Sequence, residues 1–161
     1  MGEGERTNDM ELVRGLHNLR ERHRGSVVTI GNYDGVHRGH QELLAVARAR
    51  ADEMGLPATV VTFEPTPREY FEGAAAPSRL MRLREKIEAL SLYGVDRAVV
   101  LRFDRRMQAI TAQEFIERLL VEGLGTRHLV IGHDFQFARR REGNIETLRA
   151  AGERCGFTVQ E

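Results

Sequence analysis

The sequence has one cysteine, Cys155, in 161 residues, which excludes a disulfide framework and fits a reducing, cytoplasmic setting. No apolar run approaches the roughly 18 residues that a membrane-spanning helix needs. Residues 1–10 are acidic and polar and lack the apolar stretch of a secretory signal. An excess of either charge is also missing. The 24 basic and 24 acidic side chains cancel, which argues against a general nucleic-acid or membrane-surface binder. Lysine is almost absent, Lys86 being the only one. The other cationic side chains are arginines, and with many Ala and Gly they match the coding bias of a G+C-rich genome. The arginine count is therefore no evidence for phosphate binding.

The residues that are present suit one soluble globular domain. Hydrophobic residues make up 41% and charged residues 30% of the chain, a normal globular balance. At this length folding buries roughly 70% of the unfolded surface, enough for a core without metal or disulfide staples. Residues 1–9 read as a flexible tail, with Asp9 a candidate cap, and residues 10–161 as the domain.

Short β-branched runs then alternate with amphipathic segments. Leu12, Val13, Leu16 and Leu19 suggest a short strand or turn and a helical piece. Strands are expected over residues 27–31, 58–63, 97–101 and 128–132, with a fifth starting at Phe157. Helices are expected from Gly39 to about Glu53, from Leu80 through Leu83, Ile87 and Leu90 to Gly94, after the capping box Thr111–Glu114, and after Asn144. Such alternation predicts an α/β fold, a doubly wound and mainly parallel sheet of Rossmann-like kind. Ligands on these sheets bind outside the carboxyl ends of the strands.

The densest chemistry lies in GNYDGVHRGH, residues 31–40. It joins the first strong strand to a long helix, where unpaired N–H groups and the helix dipole face an anion. Gly31, Gly35 and Gly39 allow tight turns and close backbone approach. His37 and His40, three apart at the helix entrance, can face one phosphate and stabilise charge that develops on it. Asp34 completes the cluster. A zinc site on Asp34, His37 and His40 would need an unusual ligand set, so no metal site on protein ligands is expected. No GxxxxGK[ST] loop occurs.

His37-Arg38-Gly39-His40 resembles the HxGH signature of the adenylyl- and cytidylyltransferase superfamily. The longer block resembles that of prokaryotic bifunctional riboflavin kinase/FAD synthetases. Further blocks follow in the same order: TFEPTP at residues 62–67, Arg79-Leu80, Leu83-Arg84-Glu85-Lys86, Leu101-Arg102-Phe103-Asp104, Glu114-Phe115 and GHDFQF at residues 132–137. The resemblance spans roughly residues 10–160 and implies the FMN adenylyltransferase module, which makes FAD and pyrophosphate from FMN and ATP with Mg²⁺. It implies His37, His40 and Asn32 as catalytic residues, with Gly31, Tyr33, Asp34, Gly35 and Gly39 shaping the nucleotide site. It also implies that Phe63, Pro65 and Thr66 and then Asp134, Phe135 and Phe137 hold FMN. The neighbouring aromatics Tyr70 and Phe71 could pack against the flavin as well.

Three departures from the family pattern stand out. Thr66 replaces a common histidine, and Ala138 replaces a usual glycine, suggesting a slightly different turn. The family's second ATP motif, of the ISSTRIR type, is not found before Glu161. The domain is thus expected to stop short of that motif and of the riboflavin kinase module to which it is normally fused. Arg139, Arg140 and Arg141 read as a solvated basic run. Two other functions fit the same residues: an HxGH transferase with a different acceptor, and a flavin- or nucleotide-binding fragment without turnover.

Overall fold

The computed structural model describes residues 5–7, 10–73 and 82–161. Its strands are β1 (Glu5–Thr7), β2 (Met10–Arg14), β3 (Ser26–Ile30), β4 (Ala58–Phe63), β5 (Arg97–Leu101), β6 (Thr126–Val130) and β7 (Thr158–Gln160). They form one sheet in the order β1-β2-β5-β4-β3-β6-β7. Every described pairing is parallel except that of β1 with β2. The long helices are α1 (Arg38–Met54), α3 (Leu83–Leu92) and α6 (Ile145–Cys155), with short helices α2 (Pro67–Glu72), α4 (Arg105–Gln108) and α5 (Ala112–Phe115). From α5 the chain continues through Gly123 as a wider, π-type helix.

The strands β3, β4 and β5 are buried along their whole length, which explains why each reads as a continuous apolar run instead of an alternating one. Leu44, Ile87 and Leu90 bring α1 and α3 onto one face, beside Val60 and Val100. The other face is covered by Phe115, Ile116, Leu119 and Leu120 and by Leu148 and Ala151 of α6. The sheet is therefore wrapped on both sides, as the doubly wound class requires. From the central β3 the chain steps outward to β4 and β5, then returns to the other side of β3 as β6 and β7. The order of strands reverses between β3 and β6, and the crevice at their carboxyl ends is the expected ligand position.

Several expectations shift in detail. Residues 5–7, read as part of a flexible tail, form the antiparallel edge strand β1. The helical piece after β2 is two 3₁₀ turns, Leu16–Asn18 and Glu21–His23. The fourth expected strand begins at Thr126 and ends at Val130, which leaves Gly132 in the following loop. The segment after Thr111, expected as an ordinary helix, widens over Ile116–Gly123 while Phe115, Ile116, Leu119 and Leu120 stay turned inward. Thr111 and Asn144 cap their helices as the sequence predicts. Asp9, Arg79 and Leu80 lie outside the described residues.

At the amino ends of the strands, opposite the crevice, Glu11 gathers Arg22, His23 and Arg97 into a buried ionic knot. Burial alone would raise the Glu11 carboxyl, but hydrogen bonds from Arg22, His23 and Arg97 outweigh it and hold the group at about 2. The knot ties the second 3₁₀ turn to β2 and β5.

Candidate active site

The loop after β3 is folded under strain. Tyr33 and Val36 have positive φ, 52° and 39°, as does Gly35 at 82°. Such values are uncommon for residues with a side chain and most unfavourable for a β-branched one. Tyr33 is fully buried and its hydroxyl pairs with Thr29 Oγ1 at 2.8 Å. Burial pushes its phenol up to about 12, so Tyr33 supports the loop from beneath as a neutral side chain. Gly31 makes this possible, since a Cβ there would lie 2.9 Å from the Tyr33 ring.

His37 is the N-cap of α1, its Nδ1 accepting from the Gly39 N–H at 3.2 Å. A neutral His37 in that role carries its proton on Nε2. The His37 and His40 rings stack with centroids 3.7 Å apart and 22° between planes. Tyr33 lies against the other side of His40, at 4.7 Å. Among the described residues, the buried His40 Nδ1 has no hydrogen-bond partner. Burial first, then the neighbouring His37, lower the His40 imidazole from 6.5 to about 4; Lys86 adds to this and Asp34 works against it. The expected histidine pair is thus assembled at a helix N-terminus, beside the switch point, with an orphaned polar atom.

Asn32 is exposed, and its backbone does the visible work. The Asn32 carbonyl accepts from Lys86 Nζ at 2.8 Å and from Thr62 Oγ1 at 3.1 Å. Asp34 and Gly35 are half-buried in the same turn, and Gly39 is exposed. Lys86 and Thr62 stand in the family-like blocks of residues 83–86 and 62–67 but have no site role in the sequence reading; a further signal for Lys86 is its being the sole lysine among arginines.

At the end of β4, Phe63 is buried and packs edge-on to Phe103 with centroids 5.8 Å apart. Tyr70 and Phe71 reach the same Phe103 ring at 5.3 and 5.6 Å. Phe71 is 60% exposed, so this aromatic group presents an open apolar face near the strand ends. Phe103, in the loop after β5, is the aromatic that site reasoning missed. Pro65 follows a cis bond from Glu64. Thr66 is the N-cap of α2, forming a reciprocal capping box with Glu69.

Beyond β6, Asp134 is exposed with φ 62°, and Phe135 is half-buried. Phe137 belongs to the core, against Phe115 at 4.9 Å and Phe135 at 5.7 Å. It also pairs with Gly143, where a Cβ would lie 2.4 Å from its ring. Ala138 keeps a positive φ of 71°, a conformation that favours glycine. Arg139 pairs with Glu142 at 3.1 Å, and Arg139, Arg140 and Arg141 are exposed. A cleft of about 370 Å³ opens beside Asp134, Phe135, Gln136, Asn144 and Glu161. A larger one, about 540 Å³, lies along α1 and the end of α3 beside Arg48 and Leu92. It sits on the helical layer, away from the loops just described, and the strand-end geometry is the better guide to the chemistry.

Fold and site together define a doubly wound α/β domain with a histidine-bearing turn at its switch point. The FAD synthetase family model matches residues 19–161. The bifunctional riboflavin kinase/FMN adenylyltransferase of Pseudomonas fluorescens is 53% identical over 151 residues, covering 94% of this chain and 48% of that protein. Its namesake from Haemophilus influenzae is 49% identical over 152 residues, covering 94% of this chain and 49% of that protein. Among solved structures, a macrolide-efflux protein from Streptococcus pneumoniae matches with a TM-score of 0.77 and 26% identity, over 92% of this chain and 48% of that one. The chain belongs to the FAD synthetase family, and it spans about half the length of the curated relatives it matches.

Proposed function

We propose that this domain is an FMN adenylyltransferase: it transfers AMP from ATP to FMN, giving FAD and pyrophosphate. The observation that carries this reading is the stacked His37–His40 pair at the start of α1, with His40 Nδ1 buried and, among the described residues, unpartnered. A phosphate oxygen of FMN attacks the α-phosphorus of ATP, and the bond from that phosphorus to the pyrophosphate oxygen breaks in line. Both reactants are anions, so alignment and charge neutralisation supply most of the rate. Neutral imidazole N–H donors fixed at a helix N-terminus serve that need, because they are already oriented when charge moves onto the leaving oxygens.

Within this reading, Gly31, Asn32, Asp34, Gly35 and Gly39 shape the phosphate turn, and Tyr33 holds it from below. The open aromatic face formed by Phe63, Tyr70, Phe71 and Phe103 suits a planar isoalloxazine ring. Asp134 and Phe135 border the same strand ends, while Thr66 and Phe137 serve as a helix cap and as core support. Magnesium bound to ATP would be held mainly by phosphates and water, as is usual for this ion, and would neutralise phosphate charge. We read the chain as the adenylyltransferase half of proteins whose relatives also carry a riboflavin kinase, working in the cytoplasm.

The test is incubation of the protein with FMN, ATP and Mg²⁺, following FAD by chromatography and pyrophosphate by a coupled assay. FAD and pyrophosphate in equal amounts are expected. Pyrophosphate release with another acceptor but not with FMN would replace the acceptor. Tight binding of both substrates with no product would reduce the domain to a binding module.

A further inference from the structure

We propose that Lys86 is the positioning residue of the phosphate turn, its buried ammonium setting the orientation of the Asn32–Tyr33 peptide and so the shape of residues 31–37. This rests on the adenylyltransferase reading for its kinetic consequence, but not for its structural one.

A buried ammonium costs several kcal/mol unless it is matched, and Lys86 is only 3% exposed. Its Nζ donates to the Asn32 carbonyl at 2.8 Å and to Thr62 Oγ1 at 3.2 Å, while that hydroxyl donates to the same carbonyl at 3.1 Å. Two donors, one from α3 and one from β4, therefore converge on one loop oxygen. That oxygen shares a rigid plane with the N–H of Tyr33. Turning the carbonyl inward to Lys86 turns the Tyr33 N–H the opposite way, and with the Tyr33 ring buried and its hydroxyl held by Thr29 the torsion between these two anchors settles at a positive φ of 52°. Strain of this kind persists only where the surroundings over-determine it, and the double clamp on the preceding carbonyl does so.

Composition makes the choice of residue informative. Every other cationic side chain in this sequence is arginine, so coding bias runs against lysine here. An ammonium is a compact head with three donors on a flexible stem, whereas a guanidinium is a planar fork suited to carboxylates. A carbonyl and a hydroxyl at 2.8 and 3.2 Å fit the former. The same buried charge acts on the His40 imidazole, so the clamp lies within electrostatic reach of the histidine pair.

The experiment compares the parent chain with K86M, K86R and K86C, the last also after aminoethylation, which restores an ammonium at nearly lysine length. The parent is aminoethylated alongside to control for Cys155. In K86M the kcat for FAD formation should fall about 10–100-fold, the usual range for a small misplacement of reacting groups. The KM for FMN should change less than twofold, because the aromatic face is untouched. K86R should not recover the rate, and aminoethylated K86C should. A crystal structure of K86M should show Tyr33 out of the left-handed region. Should K86M fail to fold, T62V removes the second donor and should shift kcat in the same direction, by less. A parent that makes FAD alongside a K86M that matches it, or a Tyr33 φ unchanged in K86M, overturns the proposal. A parent that makes no FAD overturns the adenylyltransferase reading instead, and the Tyr33 torsion still decides the role of Lys86.

Discussion

The state of His40 at neutral pH is the sharpest quantity the site offers. With its imidazole lowered to about 4 by burial and by His37, about one molecule in a thousand carries the cation at pH 7, against roughly a quarter for an unperturbed histidine. Because the native state refuses a proton that the unfolded chain accepts, this residue leaves stability untouched above pH 6.5 and erodes it as pH falls from there towards 4. The full shift corresponds to about 3 kcal/mol; with the ring partly open to solvent, about 1–2 kcal/mol is expected. Titration of the ring Cε1–H signals by NMR reads the group directly. Its midpoint should lie near 4, and should rise in H37A, which removes the ring stacked on His40 and its electrostatic push on that imidazole. ATP, bringing negative phosphates to the pair, should raise it as well. In denaturant titrations the parent should lose about 1–2 kcal/mol more than H40Q between pH 7 and pH 5. A midpoint above 6 in the free protein would show that water reaches the ring freely, and the account of a pre-set neutral donor would be wrong.

Four further outcomes follow from particular contacts. H40A should slow FAD formation by about 10²–10³-fold, the usual cost of losing one transition-state donor; turnover within a few-fold of the parent would remove His40 from the chemistry. Gly152→Ala would normally add about 1 kcal/mol to a helix, but its Cβ would lie 2.3 Å from the Phe157 carbonyl oxygen. Overpacking of 1–3 kcal/mol wins, and a fall in Tm of about 3–6 °C is expected by calorimetry. Glu11→Gln strips the buried Arg97 and His23 of their carboxylate and should cost about 3 kcal/mol at pH 7. The Glu11 carboxyl titrates at about 2 when folded, so its benefit is complete above about pH 4.5 and lost below. The gap between E11Q and the parent should accordingly narrow at pH 3 in denaturant titrations. Thr66→Ala removes an N-cap and should cost about 1 kcal/mol, with the KM for FMN unchanged; a raised KM would give Thr66 a substrate contact.

The sheet was legible because strands buried on both faces must be written as unbroken apolar runs, and residues 27–30, 58–63 and 97–101 are such runs. The helix caps at Thr111 and Asn144 were legible because capping depends on two side chains three apart. The edge strand over residues 5–7 was not, since edge pairing needs only backbone groups that any polar sequence supplies. The widened turns of residues 116–123 left no mark of this kind, because their buried residues, Ile116, Leu119 and Leu120, also fit the face of an ordinary helix.

Within the site the division has a different cause. A motif records which residues are required there, without saying whether each is required by the ligand or by the loop. Tyr33 and Gly31 illustrate the second kind: the ring fills the space beneath the turn, and the glycine leaves room for it. Phe137 and Gly143 repeat the arrangement beyond β6. His37 and His40 are set by the first turn of α1, so three-residue spacing alone placed them correctly. Lys86 escaped because its partner is a carbonyl 54 residues away, and a carbonyl leaves no mark in a sequence. What could be read was the contrast: in a chain whose other basic residues are arginines, one is lysine, and it lies buried against the loop carbonyl of Asn32.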